Sequence, residues 1–85
     1  MASTFTLNTP VNWLRVAKSV RNDVIIWTFR NDANDCRIQV FSDENGKSAD
    51  IVQSMWTGSQ FTIVYDRSVL AKNAQRIIDR LARRA

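Results

Sequence analysis

The chain reads as a small α+β protein: a four-stranded antiparallel meander with one helix before it and one after, in two layers. Three observations predict this. Apolar residues at helical spacing follow a Thr9-Pro10 start; four β-rich runs, about 24–30, 36–42, 48–56 and 60–65, are separated by polar turns; and a second helical stripe runs through about 67–83. With 85 residues, 1–85 is expected to be a single domain.

The elements follow in order. Residues 1–8, Thr4 to Leu7 among them, are expected to form an edge strand or to be disordered. Thr9 can cap a helix start, and Pro10 suits the first helical position because its missing N–H would have no partner there. Trp13, Val16, Ala17 and Val20 then predict a helix over about 10–21. Val24 to Arg30 is rich in β-branched and aromatic residues and predicts a strand. Asn31 to Asp35 is a polar turn, and Cys36 to Ser42 predicts a second strand. Asn45-Gly46 accepts the positive φ of a tight hairpin and should lead into a third strand near Lys47. Ala49 to Trp56 suits either a strand or a short helix closed by Gly58, and the flanking hairpin signals favour the strand. Thr57 to Gln60 is a turn, and Phe61 to Tyr65 a fourth strand. Asp66 or Ser68 then caps the last helix, whose stripe is Leu70, Ala74, Ile77, Ile78 and Leu81.

Composition narrows function. With 45% apolar and 24% charged residues the chain has an ordinary globular make-up. No run approaches the ~20 apolar residues of a membrane span. No basic stretch followed by an apolar one opens the chain, so neither a signal peptide nor a membrane partner is expected. Histidine is absent and Cys36 is the one cysteine, which excludes the usual zinc sites, Ser-His-Asp and Cys-His nucleophile systems and an internal disulfide. Gly46 and Gly58 are too far apart for a phosphate loop, and the acids of the turns lack calcium-loop spacing. No enzyme, catalytic residue, metal or cofactor is therefore expected. Cys36, in an alternating run with Ile38 and Val40, reads as a small buried hydrophobe of a reducing compartment, most simply the cytoplasm.

The net charge of +4 is unevenly spread. From Arg67 onward, Arg67, Lys72, Arg76, Arg80, Arg83 and Arg84 face one acid, Asp79, whereas residues 1–66 hold six basic and seven acidic residues. On the last helix Lys72, Arg76, Arg80 and Arg83 fall on one ridge away from the apolar stripe, about 16 Å long at ~1.5 Å rise per residue. Such a row can follow a phosphate backbone. It can equally be a solvated face that favours the helix macrodipole, with Asp79 pairing Arg76 or Arg83.

Turn lengths predict the two sheet faces. Pairing Glu44 with Lys47 sets Val40 opposite Ile51 and Phe41 opposite Asp50. A five-residue first turn sets Arg30 opposite Cys36 and Ile26 opposite Val40, and the 57–60 turn sets Trp56 opposite Phe61. One face is then aliphatic, with Val24, Ile26, Thr28, Cys36, Ile38, Val40, Ala49, Ile51, Met55 and Val64. The other is aromatic, with Trp27, Phe29, Phe41, Trp56, Phe61 and Tyr65 set among Arg37 and Gln39. The aromatic face is read as core under a second helix, as a protein or homodimer interface, or as a stacking platform for single-stranded nucleic acid.

The function expected is a small basic non-enzymatic module. It would bind nucleic acid, single-stranded or structured RNA or DNA, through Lys72, Arg76, Arg80, Arg83 and Arg37 with the aromatic face. The alternative is a protein-interaction module, a small inhibitor or adaptor of the kind mobile elements encode, using Trp27, Phe29, Phe41, Trp56, Phe61 and Tyr65 for a partner or a second copy.

Overall fold

Asn22 and Asp23 both take positive φ, 51° and 65°, and join two strands by a two-residue turn across which Arg21 pairs with Val24. This is the type I′ geometry whose twist suits a hairpin, and Asn and Asp tolerate it better than most residues. The computed structural model describes residues 6–33, 35–43 and 47–84. Its order is β1 (Leu14–Arg21), β2 (Val24–Asn31), β3 (Cys36–Asp43), β4 (Ser48–Trp56), β5 (Phe61–Leu70) and α1 (Ala71–Arg84). The five strands form one antiparallel meander, β1-β2-β3-β4-β5, and the fold is α+β with one C-terminal helix.

The helix expected over 10–21 is absent. Trp13 N–H donates to the Pro10 carbonyl at 3.0 Å, and Asn12 has φ 69°, so Pro10 to Trp13 is a β-turn that swings the chain into β1. β1 supplies the backbone partners β2 would otherwise lack on that edge. An extra residue, Val16, is accommodated as a bulge between the pairs Arg15–Phe29 and Ala17–Thr28. In the first eight residues, 1–5 lie outside the described residues, and Thr6 to Asn8 form no strand.

The β2–β3 connection is one residue shorter than expected. Arg30 pairs with Arg37 and Asn31 with Cys36, leaving a four-residue loop in which Asp35 has φ 51°. The Asn31 side chain accepts from the Ala33 N–H at 3.0 Å, and Arg30 bridges Asp32 at 2.9 Å. Because side chains alternate, that single step turns β2 over. Trp27, not Ile26, stands opposite Val40, so Ile25, Trp27 and Phe29 enter the core face and Val24, Ile26 and Thr28 leave it.

The remaining turns keep the expected register. Val40 pairs with Ile51, Phe41 with Asp50 and Trp56 with Phe61. The 48–56 segment is strand throughout. The Asn45-Gly46 turn and the pairing of Glu44 with Lys47 lie outside the described residues. Thr57 N–H and Oγ1 both donate to the Gln60 carbonyl, with Gly58 at φ 97°. A bulge at Gln53/Ser54 then puts Gln53 opposite Tyr65 and Ser54 opposite Ile63, which moves Tyr65 to the core side.

β5 runs to Leu70, where a helix had been expected from about 67. Asp66 and Ser68 are therefore strand residues rather than caps, because β4 offers backbone partners along its whole length. Ser68 Oγ donates to Asp50 Oδ1 across the pair at 2.7 Å. Leu70 is 55% exposed and does not belong to the helical stripe. The core joins Trp27, Phe29, Cys36, Ile38, Val40, Ala49 and Ile51 of the sheet to Ala74, Ile78 and Leu81 of α1, which packs on β4 and β5. Leu7 and Trp13 complete it from the N-terminal segment. That segment is clasped to α1: Asn8 N–H donates to Gln75 Oε1 at 2.7 Å and Gln75 Nε2 donates to the Asn8 carbonyl at 3.0 Å. α1 and the N-terminal segment thus lie on one side of the sheet, and no described helix covers the opposite face.

Candidate nucleic-acid interface

Seating α1 through Ala74, Ile78 and Leu81 turns Lys72, Arg76, Arg80 and Arg83 outward, and all four are exposed. Arg83 and Arg84 occupy the last turn, where positive charge meets the negative end of the helix dipole. Asp79 is not bridged to the ridge: its Oδ1 accepts from Gln75 Nε2 at 3.1 Å. Among the described residues the one ion pair is Arg30–Asp32, so no carboxylate is bridged to a ridge cation.

The strands add to this side. Cross-strand partners point the same way, so Arg15 opposite Phe29, Lys18 opposite Trp27 and Arg67 opposite Ile51 all face the helix side. Lys18 Nζ sits 4.8 Å above the Trp27 ring, a cation–π contact at the rim of the core. Among the described residues no Asp or Glu occupies a helix-side strand position; Asp50 and Asp66 pair with Phe41 and Val52 on the open face. The imbalance along the sequence has become an imbalance between faces. Arg15, Lys18 and Arg67 were missed as site residues because the segments holding the first two and the last were read as helical. The tight-turn pair Asn22-Asp23 ahead of the Val24 run was the signal for β1.

The structure does not bring the expected site residues together. Arg37 lies on the open face, its guanidinium carbon 4.0 Å from the Phe61 ring centroid, on the opposite side of the sheet from the α1 ridge. Phe41, Trp56 and Phe61 share that face, with Trp56 and Phe61 edge to face at 5.3 Å. Trp27 and Phe29 are not available as stacking surface: they are 1% and 0% exposed and stack on each other at 6.2 Å within the core. Tyr65 is half-buried against the same core. Cys36 is buried and accepts a hydrogen bond from Gln53 Nε2 at 3.1 Å.

Two concavities flank these surfaces. One, about 750 Å³, lies between residues 8–13 and the Gln75, Asp79 and Arg83 side of α1. The other, about 470 Å³, is on the open face between Val16, Thr28, Arg37, Trp56 and Phe61. Among the described residues no three His, Cys, Asp or Glu are grouped to hold a metal, and no helix is long and apolar enough to cross a membrane. No protein-family model matches the chain, and no curated protein or solved structure is similar enough to count as a match.

Proposed function

We propose that the chain is a non-enzymatic module that binds nucleic acid on its helix side. The observation that carries the reading is the row Lys72, Arg76, Arg80 and Arg83, exposed on α1 and free of carboxylate bridges among the described residues. Arg15, Lys18 and Arg67 extend the same positive field past the helix edges. Cations in such a row neutralise successive phosphates and release counterions, so the affinity is electrostatic and largely independent of base sequence. Arg37 and the open-face aromatics are left out of this contact, because they lie on the other side of the sheet from the α1 ridge. A buried free thiol at Cys36 fits a reducing compartment such as the cytoplasm.

Fluorescence anisotropy with labelled single- and double-stranded oligonucleotides across a salt series tests the reading. Arg76→Ala and Arg80→Ala should each weaken binding to every sequence and lower the salt slope by about 1. Binding unchanged by both substitutions would refute it.

A further inference from the structure

We infer, resting on the nucleic-acid reading, that the helix side takes a double helix rather than a single strand, holding its paired phosphate backbones and leaving the bases stacked. The make-up of the exposed surface selects the duplex. Every exposed residue of α1 is a cation: Lys72, Arg76, Arg80, Arg83 and Arg84. The polar side chains among them are withdrawn. Asn73 and Gln75 are half-buried, and Gln75 is held by the Asn8 backbone and by Asp79.

Aromatic rings are withdrawn as well. Proteins that hold single strands stack unpaired bases on exposed rings beside a basic groove. On the helix side Trp13, Trp27 and Phe29 are 5%, 1% and 0% exposed, Lys18 lies over the Trp27 ring, and Tyr65 packs against the core. Trp56 is the one exposed ring among the described residues, and it lies across the sheet from the ridge. Bases splayed from a single strand would meet flexible charged side chains here and no ring. A duplex needs no stacking partner, because its bases already stack on one another.

Charge density and breadth point the same way. A double helix carries one charge per ~1.7 Å of axis, against ~3.4 Å for either strand alone, so a fixed row of cations meets more phosphate on it. The row is fixed because α1 is pinned to the core by Ala74, Ile78 and Leu81. The cations also extend sideways. Arg15 and Lys18 stand exposed on β1, three strands from the β4 on which α1 packs, roughly 14 Å away at ~4.8 Å a strand. That breadth is comparable to the ~12 Å major groove between two backbones, whereas a single strand needs one line of cations.

Fluorescence anisotropy at matched salt reads the preference. The probes are a DNA duplex and an RNA duplex of about two turns, roughly 20 base pairs, and their separated, unstructured strands. The two duplexes distinguish the sources of the same backbone chemistry. At least one should bind about tenfold or more tighter than either of its strands, with a steeper salt slope, about 0.9 per contact against about 0.7. Arg15→Gln, beyond the ridge, should narrow that margin while single-strand affinity stays in place, and Trp56→Ala should change neither. Separated strands that bind as tightly as both duplexes would overturn the inference and leave the nucleic-acid reading standing. So would a margin indifferent to Arg15→Gln, or single-strand affinity lost with Trp56→Ala. No binding to any probe would refute that reading and the inference with it.

Discussion

Trp27 shows how far one residue's fate depends on a distant turn. Its apolar surroundings were legible, because Val24 to Phe29 is an obvious β run; which face it takes was not. A connection of four rather than five residues, closed by Asp35 at positive φ, sends the ring into the core beside Phe29. Nothing local in the Asn31 to Asp35 sequence distinguishes the two lengths. Trp27→Ala should therefore cost about 3–5 kcal/mol in urea unfolding, the usual range for emptying a large buried site. Trp56→Ala, at a half-exposed ring, should cost about 1 kcal/mol in dilute solution, the worth of an edge-to-face pair. Cys36 was legible as a buried hydrophobe from its alternation with Ile38 and Val40, and it is 2% exposed. Its thiol should resist labelling in the native state and react at the rate of unfolding, measured by mass spectrometry in a denaturant series.

Among the elements, strands that pair through tight turns were readable, and those set by tertiary partners were not. β3, β4 and the Trp56–Phe61 pairing follow from alternation and turn chemistry alone. β1 carries both a helical and an alternating pattern, and the choice falls to the hairpin at Asn22-Asp23 and the vacant edge of β2. The start of α1 was displaced for the same reason: β4 extends the pairing of β5 past Asp66 and Ser68, overriding their value as caps. Asp23 sits at φ 65°, a strained position for any residue with a β-carbon. Asp23→Gly should stabilise the hairpin by at most about 1 kcal/mol, raising the melting temperature by no more than about 8 °C in a calorimetric scan. Ile78→Ala, fully buried where α1 meets the sheet, should lose about 2–5 kcal/mol.

Over the whole molecule, the basic C-terminal end was plain in the sequence, but which rings share the open face was not. Turn lengths set Arg37 on the aromatic face rather than on the ridge, and the observed register keeps it there, opposite α1, while it moves Trp27, Phe29 and Tyr65 to the core side. α1 and the strand cations Arg15, Lys18 and Arg67 form one positive side; on the other, Arg21, Arg30 and Arg37 are offset by Asp50 and Asp66 beside the exposed rings. The two surfaces are thus suited to different partners, and substitutions on one should leave the other's binding intact. The most direct test is the salt dependence of oligonucleotide affinity for wild type, Arg80→Ala and Arg37→Ala. The account predicts a wild-type log–log slope of roughly −3, from four ridge phosphate contacts at about 0.7–0.9 each, a slope shallower by about 1 for Arg80→Ala, and no change for Arg37→Ala. A flat salt response, or affinity lost with Arg37 and kept without Arg80, would contradict it.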